Sequence, residues 1–212
     1  MLAVGVSRRL GGHPLANPVL LTVTAVIAVL TLTRVPYERC FQGAQFIHFL
    51  LGPATVALAV PLYRNIDRVR AALVPILAGI ACGAATAGLS VLVLGWLLGG
   101  DRALIASLAT KTVTAPVALG IAGSIGGLPP LAATFAVMTG MTGADVGPAL
   151  LTRLGMRSPL QRGLAMGVGC HGQGTARILQ ESEEADAYAS LAMGLTALVL
   201  TFAMPAAARL LG

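Results

Sequence analysis

Charge is what this sequence has least of. Asp, Glu, Lys and Arg make up 10% of its 212 residues, where a soluble domain carries about 25%. With 56% hydrophobic residues and a mean hydropathy of +0.84, that scarcity excludes an ordinary soluble domain and points to an integral membrane protein. Cysteine is scarce too. Cys40, Cys82 and Cys170 are far apart, so neither a disulfide framework nor a metal site is indicated. His13, His48 and His171 have no ligand spacing with one another or with cysteine. Nucleophile–base pairs, phosphate loops and metal constellations are missing, so we expect no enzyme and no cofactor. Lysine occurs once, at Lys111, and the arginines sit at segment ends. The net charge of +6 therefore reports topology rather than nucleic-acid binding.

What is present is a polar island in an apolar run. Met166-Gly-Val-Gly-Cys-His-Gly-Gln-Gly-Thr-Ala-Arg-Ile-Leu-Gln180 sets ring, amide, hydroxyl and guanidinium groups where lipid would penalise them. Gly167, Gly169, Gly172 and Gly174 weaken the helix, and Thr175 restarts it. The pattern predicts a broken helix. Its second half would present free N–H groups and a positive dipole end around His171 to Thr175, a ready anion site.

In chain order the apolar segments are 18–33, 44–63, 71–98, 103–125, 131–152, 160–180 and 187–208. Residues 1–10 are too short to span and carry Arg8-Arg9 on the wrong side for a signal peptide. Basic loops 64–70 and 153–162 belong inside by the excess of Arg, which places both termini in the cytoplasm and the acidic 181–186 turn outside. Segment 103–125, with Lys111, Pro116 and two threonines, then cannot cross and should be re-entrant. The expected fold is an all-α polytopic membrane protein. It has about six spans plus one re-entrant segment, in a single membrane domain over 1–212 with repeat halves 1–100 and 101–212. Gly52-Pro-Ala-Thr55 and Gly172-Gln-Gly-Thr175 occupy corresponding places, so the halves form an inverted repeat with two broken helices.

Asn17-Pro18, the run Leu51 to Tyr63, Lys111-Thr-Val-Thr-Ala-Pro-Val-Ala118, Arg162-Gly-Leu-Ala-Met-Gly167 and His171-Gly-Gln-Gly-Thr-Ala-Arg177 together resemble the LrgB/CidB family. The resemblance extends from about residue 15 to the C-terminus. It implies a bacterial inner-membrane protein, often paired with a small holin-like (LrgA/CidA-type) membrane protein. Two activities come with it: modulation of murein hydrolase export and cell lysis, and, through the related plastid glycolate/glycerate transporter and pyruvate-linked members, carriage of small monocarboxylates. Two departures stand out. Family members begin with a further hydrophobic helix before the Asn-Pro motif, and Asp145 stands where an apolar residue is usual.

As carrier, the chain would bind a small carboxylate between the two breaks, by alternating access. Asn17, Gly52, Pro53, Thr55, Lys111, Thr112, Thr114, His171, Gly172, Gly174, Thr175 and Arg177 form the candidate substrate site. Lys111 would supply charge, or it snorkels to the interface. His171 would relay protons or bind substrate, or it is a satisfied interior donor. The threonines would donate hydroxyls, or they back-bond within helices. Arg177 would clamp the carboxylate, or it pairs with Glu181 at i+4. Asp145 would carry a coupling proton, or it pairs with Arg153 near the interface. The acidic 181–186 run reads as a solvated loop. As a lysis regulator, the chain would instead depend on its partner and on homodimeric contacts, with Gly79, Gly83 and Gly88 offering a small-residue face. In both cases the lipid bilayer is its solvent.

Overall fold

A chain this apolar must satisfy its backbone internally, which a helix does within one segment. The computed structural model describes residues 5–6, 18–46, 63–64 and 66–210, and all regular structure among the described residues is helical. The chain divides into two compact units, Met1–Val60 and Pro61–Gly212. In the first, helix α1 covers Pro18–Thr33. Its threonines return their hydroxyls to the helix. Thr33 Oγ1 donates to Val29 O at 2.7 Å and Thr31 Oγ1 to Ile27 O, which is how a hydroxyl is satisfied on an apolar helix. Arg34, at φ 53°, ends α1, and residues 37–46 are helical again. Asn17, Gly52, Pro53 and Thr55, and with them the first expected break, lie outside the described residues.

The second unit contains α2 (Ile66–Ala71), α3 (Leu73–Leu97), α4 (Arg102–Ala109), α5 (Ala115–Ser124), α6 (Pro129–Arg153), α7 (Pro159–Leu179) and α8 (Glu183–Leu210). Helix α3 has 25 residues and no charge. At 1.5 Å per residue it measures about 37 Å, more than the roughly 30 Å of a hydrocarbon core. Both α3 and the Glu183–Arg209 stretch of α8 are long and apolar enough to cross a membrane.

Segment 103–125 is interrupted as its lysine and proline predict. Asp101 Oδ1 caps α4 by accepting from Leu104 N–H at 2.6 Å, the helix stops at Thr110, and α5 starts at Ala115. Gly126, at φ 79°, turns the chain so that Leu128 N–H donates to Ser107 Oγ at 2.8 Å. The chain that leaves α4 is back beside it 21 residues later. Segment 103–125 is thus a helical hairpin.

Residues 160–180 correct an expectation. They do not run through as one broken span but reverse. Arg162 Nη2 lies 2.6 Å from Glu181 Oε2, positions that a straight helix would hold about 28 Å apart. A Cβ on Gly174 would stand 2.4 Å from Met166 O. Helix α7 is thus a hairpin of two half-helices, α7a (159–170) and α7b (172–179), hinged at His171, whose backbone takes φ 41°, ψ −131°. The glycines around the hinge let the halves close. Length sufficient to span does not oblige a segment to do so. It follows that the acidic turn 181–186 sits beside the basic loop 153–162, not across the molecule from it. Nor is the acidic run wholly solvated, because Asp186 is fully buried.

Small residues set the packing around α7. A Cβ on Gly163 would stand 2.3 Å from Ala185 O and one on Gly167 2.3 Å from Ala189 O, so α8 lies backbone to backbone along α7a. Against the other side of α7a, Gly83 of α3 receives Val168. Where lipid supplies no hydrophobic drive between helices, such close approach provides the van der Waals contact that holds them.

Candidate functional site

Two breaks meet at the middle of α6. The first is the tip of α7. His171 is buried, and its Nε2–H donates to Ala136 O at 2.9 Å, the carbonyl partner fixing that nitrogen as the protonated one. Gly140 makes room for the ring, since a Cβ there would stand 2.6 Å from His171 Cε1. Gly143 does the same for Cys170, and Gly147 for Met166. These three glycines lie on one face of α6, at i, i+3 and i+7. The hinge is therefore seated in a groove cut for it.

The second break is Thr110–Thr114. Thr110 is buried and donates to Ser107 O at 2.9 Å. Thr114 adopts the extended N-cap conformation of α5 without a side-chain cap, and Pro116 follows in the first turn. Thr114 thus leaves the first turn of α5 without a side-chain cap. Lys111 projects from this break into a cleft of about 470 Å³, half-buried. Thr139, Thr142 and Gly143 of α6 form its floor, Phe135 and Met138 an apolar wall, and Gly169-Cys170, just before the hinge, its far side. Among the described residues no acidic side chain lines it. A single ammonium, two hydroxyls and an apolar wall suit a small organic anion better than a cation.

The candidate residues fall out as follows. Lys111 reaches the cleft, while Thr112, buried, and Thr114, half-buried, flank it without lining it. His171 adjoins the cleft through Cys170, but its ring is turned into α6. Gly172 faces Met193, and Gly174 closes on α7a. Thr175 Oγ1 donates to His171 O at 2.8 Å, back-bonding across the hinge. Arg177 pairs with Glu181 at 3.4 Å, the i,i+4 alternative. Asp145 is half-buried on α6. The sequence reading missed Thr139 and Thr142, although the doublets Thr139-Gly140 and Thr142-Gly143, three apart, mark one face of α6. It also missed Arg162. This guanidinium reaches Glu181, Thr152 Oγ1 at 3.1 Å and Met156 O at 3.2 Å, tying the open end of the hairpin to the end of α6.

Comparison with known proteins places the whole chain. The model of the LrgB-like family matches residues 1–210. YxaC of Bacillus subtilis (strain 168) is 37% identical over 192 residues, covering 91% of this chain and 84% of that protein. The holin-like protein CidB of Staphylococcus epidermidis (strain ATCC 12228) is 31% identical, and that of Staphylococcus aureus (strain N315) 28%, each over 91% of this chain and 84% of the relative. No solved structure matches. The chain belongs to the LrgB-like family.

Proposed function

We propose that this chain is a bacterial inner-membrane protein that modulates murein hydrolase export and cell lysis together with a small holin-like membrane partner. One observation carries this reading: similarity to proteins named holin-like CidB runs over 91% of the chain, with a family match over 1–210. The test is genetic. Deleting the gene should change murein hydrolase activity in the culture medium and the rate of lysis, and the tagged protein should co-purify with a small membrane protein. Unchanged hydrolase activity and lysis, with no such partner recovered, would exclude it.

A specific observation favours a second reading, carriage of small monocarboxylates. Two interrupted segments, each returning to its own side, meet at the middle of α6 around Lys111. Broken helices converging near a midplane are the plan of secondary transporters, where irregular backbone is tolerated because it lines a cavity. With loop 153–162 inside, α4–α5 enters from outside and α7 from inside, and α8 carries the C-terminus outward. That orientation replaces the cytoplasmic C-terminus expected from a crossing α7. Cysteine accessibility at residue 210 in whole cells tests it. Counterflow of labelled glycolate and pyruvate into vesicles holding the purified chain tests the carrier, with no chemistry done on the substrate. Saturable exchange lost in Lys111→Ala supports it, and no exchange by folded protein removes it.

A further inference from the structure

The largest unexplained polarity lies outside the cleft. Asp186 of α8 is fully buried, and neither carboxylate oxygen has a hydrogen-bond partner among the described residues. One turn on, Ser190 is buried with its hydroxyl equally unpartnered. Both residues lie on the face that continues to Met193, because positions i, i+4 and i+7 align on a helix. Met193 Sδ is 4.0 Å from Thr175 Oγ1 and 3.8 Å from the Cβ position of Gly172. This face of α8 is therefore packed on α7b.

A buried carboxylate without a donor persists only when its charge is cancelled. Among the described residues the cations around it are committed. Arg162 and Arg177 both bind Glu181, and Arg64 binds Glu183. His171 gives its N–H to Ala136. Glu183 and Glu184, on the same helix, add negative charge nearby. Helices α3 and α5, which also pack on α8, carry no charged residue. Helix α2, whose Val69 shares a cluster with Tyr188, offers Asp67 and Arg70, both exposed. No metal-binding group of His, Cys, Asp and Glu forms among the described residues.

We propose that Asp186 is a proton-binding site, and that its proton occupancy decides whether α7b docks on α8. An Asp186 oxygen takes H⁺ from water at the 181–184 turn and forms an O–H bond; release reverses the step, and no electrons move. The ionised carboxylate needs water, which enters only if α7b separates from α8. Protonation thus favours the closed hairpin, and loss of the proton opens it. The inference rests on neither reading of the function.

The test uses the full chain in lipid nanodiscs. Infrared spectra titrated with pH should show a buried-carboxyl C=O band that disappears on alkalinisation in the wild type and is absent in Asp186→Asn. Amide protection over 172–179, taken relative to the intrinsic base-catalysed rate at each pH, should fall as that band is lost, and stay high and pH-independent in Asp186→Asn. Asp186→Glu, which keeps a titrating group, should retain the pH response. A wild-type spectrum identical to that of the variant overturns the site. Protection in the wild type that does not change with pH overturns the coupling. A band that depends on sodium rather than pH overturns the proton in favour of a metal cation. If Asp186→Asn does not fold, the wild-type exchange titration decides alone.

Discussion

Helices α3 and α7 are similar in length and both rich in glycine, yet one is continuous and the other folds in half. In α3, Gly79, Gly83, Gly88 and Gly95 are four or more residues apart and separated by apolar side chains and by Thr86 and Ser90, whose hydroxyls bond back to the helix, so each is a notch for a neighbour's side chain and none disturbs the ladder. In α7 the glycines at 167, 169, 172 and 174 crowd around His171 and Gln173, side chains that lipid would not accept. Glycine alone does not break a membrane helix. It breaks where polar side chains need somewhere to go and a neighbour has been hollowed to receive them, as Gly140 and Gly143 of α6 receive His171 and Cys170.

The sharpest way to break this comparison is to fill one notch in each helix. In α7, Gly174→Leu sets side-chain atoms where a Cβ would already be 2.4 Å from Met166 O, a backbone atom that cannot yield. The hairpin cannot close, and destabilisation of more than about 4 kcal/mol is expected, read as loss of folded protein in detergent. In α3, Gly88→Ala meets only Met204 Cε at 3.6 Å. It should be neutral or up to about 1 kcal/mol stabilising, from helix propensity. Equal effects at the two positions would refute the distinction.

The next largest effect lies at the open end of the hairpin. Arg162 is 14% exposed at its side chain and joins Glu181 to the end of α6. Arg162→Ala should cost about 2–3 kcal/mol in thermal or denaturant unfolding, since it leaves Glu181 with Arg177 alone and removes the donor to Thr152 Oγ1 and Met156 O. The Arg64–Glu183 pair is 66% and 55% exposed. Arg64→Ala should change stability by less than about 1 kcal/mol. Lys111→Ala, by contrast, touches no hairpin contact and should leave unfolding unchanged while removing any exchange of carboxylates.

Much of this was legible in the residues, and the reasons for the rest are local. The uncharged run of α3, the interruption at Lys111 and Pro116, and a break beside Gly172 follow from composition and from the cost of polar groups in lipid. The reversal at His171 does not, because 21 residues are enough either to cross or to fold back, and one φ angle decides between them. Asp186 was hidden by its neighbours: among three other acids within six residues it reads as solvated, and only the packing of the other helices on α8 buries it. Thr139 and Thr142 gained meaning when the Lys111 break was seen to face them.

The finest test of the comparison is the hinge angle itself. His171 holds φ 41°, ψ −131°, a conformation that costs a non-glycine residue on the order of 1–3 kcal/mol. It is kept in place by the bond to Ala136 O and by burial of the ring. His171→Ala removes the bond and the packing but keeps the strain, whereas His171→Gly removes all three. The difference between the two variants therefore isolates the strain, free of the lost hydrogen bond. Glycine should be the more stable by about 1 kcal/mol in paired unfolding measurements, the gain set against its greater unfolded-state entropy. At an α3 position such as Ala81 the order must reverse, Gly being about 1 kcal/mol worse than Ala in a continuous helix. If His171→Ala is the more stable variant, the hinge relaxes to helical dihedrals once the ring is gone. The fold-back would then be imposed by His171 and its seat on α6, not by the glycines around it.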